Sequence, residues 1–198
     1  MLLTTGQAAA ELDCAVTTFR RLVHAGLLPG LSRRGVRVMI PLHVVQALSA
    51  RPEAPLAQLG TEEIAVLRVD TAQRTDGADQ DWTGFATSLT PDDLLRSLRG
   101  WWRCDAASAA AGGVLPVTVS GYVVAVLTGL ERWEKNTEGR HAFPDARLAG
   151  YVTDLASPHI TITSSRDGDR RLAELLLGKR LTSHSGGAIA YVSTNTAG

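Results

Sequence analysis

Along the first fifty residues the apolar positions recur at helical spacing. Beyond residue 64 they crowd instead into short runs rich in Val, Ile, Thr and Tyr. Ala8, Ala9 and Leu12 trace the inner face of a first helix that Thr4 can cap and that ends near Leu12. After a turn at Asp13, Cys14 and Ala15 comes VTTFRRLVHAG, with Phe19, Leu22 and Val23 as a core stripe at i, i+3, i+4. Gly26 closes that helix at the position that tolerates positive φ. The stripe leaves Thr17, Thr18, Arg20, Arg21 and His24 on other faces, and small Ala8, Ala9 and Ala10 let the two helices cross closely. Residues 27–41 read LLPGLSRRGVRVMIP. Apolar ends around Gly35 predict a hairpin whose tip carries Arg33, Arg34 and Arg37. HVVQAL supplies a third helix after Pro41.

RPEAPLAQLGTEE, residues 51–63, combines prolines, a glycine and acidic side chains and reads as a linker. It divides a front unit, residues 1–50, from a rear unit, residues 64–198. Strands are predicted in the rear unit at 64–70, within 117–134, at 159–165 and at 187–194. TPDDLLRSLRGWW, 90–102, reads as a helix with Thr90 as cap, Pro91 in the first turn and two aspartates at the positive end. DRRLAELLLGKR, 169–180, is a second rear helix stopped by Gly178. Residues 75–81 and 108–116 read as loops.

Composition alters this picture through its distribution. The chain of 198 residues is 44% hydrophobic and 20% charged, with a formal net charge of zero. Residues 1–51 nevertheless hold six arginines against Glu11 and Asp13, a balance of +4, so the remainder carries 14 basic and 18 acidic side chains, or −4. Such asymmetry points to a nucleic-acid-binding end. No apolar run is long enough to span a membrane, and the N-terminus lacks the pattern of a secretory signal. Cys14 and Cys104 lie far apart in no metal-ligand spacing, which implies neither structural zinc nor a disulfide framework and points to a reducing, cytoplasmic setting.

Two short helices joined by a tight turn, the second basic near its start, fit a helix-turn-helix, and the arginine hairpin fits a wing. Thr17, Thr18 and Arg20 are the candidates for base edges, and Arg33, Arg34 and Arg37 for phosphates. Arg21 either packs or touches backbone, and His24 either serves the helix C-terminus or contacts phosphate. Residues 3–48 resemble the winged helix-turn-helix of the MerR, excisionase and BldC-like DNA-binding proteins. The resemblance rests on Thr4, Ala9, Thr17-Thr18-Phe19, Arg21, Ala25-Gly26-Leu27, the arginine-rich 32–37 stretch and Met39-Ile40-Pro41. The chain departs from that pattern at Ala15-Val16, where a Ser or Asp cap is usual, and in a wing one or two residues short of the commonest form. What the resemblance implies is double-stranded DNA as partner.

The rear unit carries Arg99-Gly100-Trp101-Trp102, Gly129 to Trp133, Arg140 to Phe143, Leu177 to Leu181 and Gly187 to Val192. Together these are similar to small PUA-like β-barrels of the ASCH and EVE type, which implies a barrel that recognises RNA or modified bases. On that reading Trp101, Trp102, Trp133 and Ser185 line a pocket for a base or small molecule, since aromatic faces stack flat ligands. Ordinary core and rim packing explains the same tryptophans. His141, Asp145, Asp154, His159, Asp167 and His184 are the acid–base residues available, but no hydrolase, metalloprotease or P-loop spacing joins them, and Pro144 interrupts any helix carrying His141 and Asp145 together. The expectation is therefore an α+β protein with a winged helix-turn-helix followed by a β-rich PUA-like barrel and flanking helices. It is read as a non-enzymatic DNA-binding regulator that needs no cofactor or metal. A modified-base reader and a small-molecule sensor stand as alternatives, and a homodimer is compatible with each.

Overall fold

The computed structural model describes residues 1–77 and 80–195. Its front begins with strand β1 (Leu2–Thr4), followed by α1 (Thr5–Glu11), α2 (Val16–His24), β2 (Ser32–Arg34), β3 (Arg37–Pro41) and α3 (Leu42–Ser49). Thr4 caps α1 in a reciprocal box with Gln7: the Gln7 N–H donates to Thr4 Oγ1, and the Thr4 N–H donates to Gln7 Oε1 at 2.9 Å. β1 pairs antiparallel with β3, placing Leu3 opposite Ile40, and β2 completes a three-stranded ribbon. Phe19, Leu22, Ile40, Val44, Val45 and Leu48 are buried between the helices and this ribbon.

The remaining elements are β4 (Glu63–Arg68), β5 (Gln73–Gly77), β6 (Gln80–Thr83), α4 (Pro91–Leu98), β7 (Gly100–Trp102), α5 (Ala106–Gly112), β8 (Leu115–Val119), β9 (Tyr122–Thr128), β10 (Glu134–Lys135), β11 (His141–Ala142), β12 (Arg147–Val152), β13 (Ile160–Ile162), α6 (Asp167–Leu176) and β14 (Ile189–Ser193). The fold is mixed α and β, with six α-helices among the described residues. Its largest sheet has six strands in the order β13-β12-β9-β8-β4-β14. Only β4 and β8 run parallel; the other neighbours are antiparallel. β8 and β9 are buried at every position, so both faces of the sheet are covered.

The expected barrel does not form. Among the described residues β13 pairs with β12 alone and β14 with β4 alone, so the sheet keeps two open edges. Closure requires those edges to meet, and they stand at opposite ends of the strand order. Three local expectations also change. Residues 108–116, read as a loop, contain the end of α5, which Asp105 caps through the N–H groups of Ala107 and Ser108. The predicted 90–102 helix stops at Leu98 and turns into β7. The loop expected at 75–81 is mostly the arms of the β5–β6 hairpin, and its residues 78 and 79 lie outside the described residues.

Segment 51–63 is held in place. Ala54 donates to the Arg180 carbonyl and Arg180 to that of Pro52, both at 2.8 Å, while Arg180 pairs with Glu53 at 2.6 Å. A 3-10 turn, Leu56–Leu59, buries Leu56. Apolar side chains from both halves form one contiguous cluster from Leu3 to Ile189. On the sheet, Arg147 grips Asp169 of α6 with two bonds of 3.1 and 3.3 Å, and Ser164 adds a third at 2.8 Å. Burial pushes the Asp169 carboxyl up, but these hydrogen bonds outweigh it and hold the group below the usual carboxylate range.

Candidate functional site

α2 is amphipathic, and its two polar stripes meet different surroundings. Phe19 and Leu22 point into the core. Beside them, Thr18, Arg21 and Ala25 turn toward the sheet unit. The Thr18 carbonyl accepts from Ser120 Oγ at 2.7 Å, Arg21 pairs with Asp70 at 3.2 Å, and the Ala25 carbonyl accepts from the Thr87 N–H at 2.9 Å. Gly26, at φ +77°, sits so close that a Cβ there would lie 2.3 Å from Thr87 Oγ1. Both its left-handed backbone and the approach of Thr87 require glycine. The Leu155 N–H adds a bond of 3.0 Å to the Leu27 carbonyl.

The other stripe, Thr17, Arg20 and His24, is exposed. Arg20 and His24 border a cleft of about 460 Å³ with Thr4, Val23, Val36 and Arg37. The hairpin supplies the far side of that cleft. Gly35 holds φ +58° at the first position of its two-residue turn, as a type II′ connection needs, and Val36 at the tip is 99% exposed. Arg33, Arg34 and Arg37 are all exposed. Arg34 lies directly across the ladder from Arg37. Like charges in that relation destabilise a hairpin. Among the described residues, no carboxylate pairs with Arg20, Arg33, Arg34 or Arg37.

The residues singled out in the sequence therefore divide. Thr17, Arg20, His24, Arg33, Arg34 and Arg37 are exposed around or near the cleft, whereas Thr18 and Arg21 face the second unit. Ser120, Asp70 and Thr87, which make that division, carry no local signal in the sequence beyond the Ser120-Gly121 turn.

In the rear unit none of the described clefts is lined by more than one of the tryptophans. Trp102 is half-buried and donates its Nε1–H to the Leu98 carbonyl at 2.9 Å. Its neighbour Trp101 points to the other face of β7 and borders a cleft of about 350 Å³ with Arg99 and Pro144. Trp133 is 40% exposed and borders neither that cleft nor the one beside the arginine hairpin. Ser185 braces a turn: its hydroxyl donates to the Ile189 carbonyl at 2.7 Å and accepts from the Gly187 N–H at 3.1 Å. The acid–base residues are dispersed as well. Asp145 meets Arg132 at 3.5 Å, and Asp154 accepts from the N–H groups of Ala156 and Ser157. Among the described residues no helix is long and apolar enough to cross a membrane. No protein-family model, curated protein or solved structure matches this chain.

Proposed function

We propose that this protein binds double-stranded DNA through its front unit, as a winged helix-turn-helix regulator of the MerR, excisionase and BldC-like kind. α2 enters the major groove with Thr17, Arg20 and His24, and the β2–β3 wing lays Arg33, Arg34 and Arg37 along the backbone or the adjoining minor groove. The observation that carries this reading is the opposition of Arg34 and Arg37 on an exposed hairpin where, among the described residues, no carboxylate pairs with them. Phosphate oxygens relieve that repulsion, and guanidinium forks match their geometry. The rear unit anchors the back of α2 and serves as the effector part; a second protomer adds the phosphate contacts that a single module lacks.

The test is an anisotropy titration of the full chain against a labelled duplex over a series of salt concentrations. Log affinity should fall linearly with log salt. R33A with R34A should reduce that slope by about 1.8, roughly 0.9 for each phosphate no longer neutralised. Wild-type binding no tighter than that of a neutral control protein, or a slope untouched by the double substitution, overturns the assignment.

A further inference from the structure

A cleft of about 760 Å³ lies along the Thr18 and Arg21 side of α2. The front unit contributes Asp13, Cys14, Thr18 and Arg21 to its walls, and the sheet unit contributes Arg68, Asp70 and the 181–188 loop among others. Arg21 and Asp70 satisfy one another. Arg68 differs: its Nη1 donates to the Ser185 carbonyl at 2.8 Å, and no carboxylate pairs with it among the described residues. That single bond orients the guanidinium and leaves four of its roughly five N–H donors for another partner. Thr182, Ser183 and His184 surround the same space with hydroxyls and an imidazole. The two walls are tied by the Ser120–Thr18 bond and the Arg21–Asp70 pair, so the cleft belongs to the joined units and to neither alone.

We propose that this cleft binds a small organic anion, whose carboxylate or phosphate is held in bidentate fashion by Arg68. Asp13 and Asp70 in the same walls disfavour a polyanion, so the ligand carries one or two negative charges. A nucleic-acid backbone is thereby the wrong occupant. The proposal extends the effector role given to the rear unit, but it stands on the cleft alone, and its test contains no DNA, so it can fail while DNA binding holds.

Cys14 provides the reporter, because it lines the cleft and is partly exposed. In full-length C104S protein, Cys14 is the sole thiol. Its rate of modification by a maleimide is measured with inorganic phosphate, acetate or succinate, each against chloride at matched ionic strength, and melting is followed in parallel. An anion at about ten times its Kd should slow modification roughly tenfold and raise Tm. The arm that protects distinguishes phosphate from carboxylate. R68Q should abolish protection while melting, without anion, as C104S does. If R68Q fails to fold, R68K takes its place: it keeps the charge, loses the fork, and should weaken protection. Absence of protection by all three anions overturns the site, and protection undiminished in the Arg68 variant overturns the role of the guanidinium.

Discussion

On the front hairpin, Arg33, Arg34 and Arg37 stand exposed, and two of them face each other across the ladder. Beyond residue 90, Arg96, Arg132, Arg140, Arg147 and Arg180 each meet a carboxylate of their own chain. The same side chain is paired at these five positions and, among the described residues, meets no carboxylate on the hairpin. A net charge of zero conceals this, because the surplus of the front is balanced by acids that lie elsewhere. Exposed pairs add little stability, so these five arginines are neutralised without being indispensable, Arg147 excepted. Among the described residues the three hairpin arginines make no ion pair within the fold. Under the proposed function, phosphate oxygens relieve the repulsion between Arg34 and Arg37.

The contrast can be broken most forcefully at the core the two regions share. Phe19→Ala removes a fully buried ring and should destabilise the protein by about 3–5 kcal/mol. Because the apolar cluster is contiguous, calorimetry should show one transition, displaced downward by about 10 °C. Two transitions, with only the lower one moved, would show the units to be energetically separate.

Asp169→Asn tests the clamp. Asp169 is nearly buried but Arg147 is about one-third exposed, so the loss should be about 2 kcal/mol at neutral pH. The Asp169 carboxyl is held low in the folded state, so its contribution is complete above the unfolded carboxylate pKa of about 3.9 and disappears as pH falls through the folded value. Denaturant titrations from neutral to acid pH should therefore show the gap between wild type and variant begin to narrow near pH 4 and close only below the lowered folded value. A gap that persists at low pH refutes the ionic origin.

Adjacent residues on α2 give the sharpest contrast. Arg20→Ala should weaken duplex binding by about 1–3 kcal/mol with little change in melting. Arg21→Ala should leave binding nearly intact and lower stability by less than about 1 kcal/mol, since its pair with Asp70 is exposed. Equal losses of affinity from both would mean that the two stripes of α2 are not distinct. A small effect is also expected at Ser120, which holds φ +52°. Ser120→Ala should lose about 1 kcal/mol and Ser120→Gly less, because glycine accepts that backbone while both lose the bond to Thr18. Chemical denaturation ranks the two.

Much of the front unit was legible because its signals are local. Phe19 and Leu22 at helical spacing, Thr4 as a cap, Gly26 as a stop and Gly35 between apolar arms all act within a few residues. β1 was not legible: Leu2–Thr4 are a strand only because Met39–Pro41 lie beside them. α5 was missed because its alanines and glycines resemble a loop, although Asp105 ahead of them was a cap in plain view. β4, β8, β9, β13 and β14 fall in stretches read as strand, but β5, β6, β7, β11 and β12 were missed, and so was the strand order. Adjacent strands joined by the Ser120-Gly121 turn are predictable, whereas β14 returning to β4 from over a hundred residues away is not.

By itself the sequence determined that α2 has an apolar stripe, that polar and basic residues occupy the rest of it, and that an arginine-tipped hairpin follows. These are consequences of side-chain periodicity and turn chemistry, which depend on near neighbours. Only the tertiary structure decided that Thr17 and Arg20 remain open while Thr18 and Arg21 are turned against the sheet, and that the sheet stays unclosed. Thr17 and Thr18 are chemically the same, as are Arg20 and Arg21. What separates them is which surface packs alongside, and that surface is assembled from residues far away in the chain.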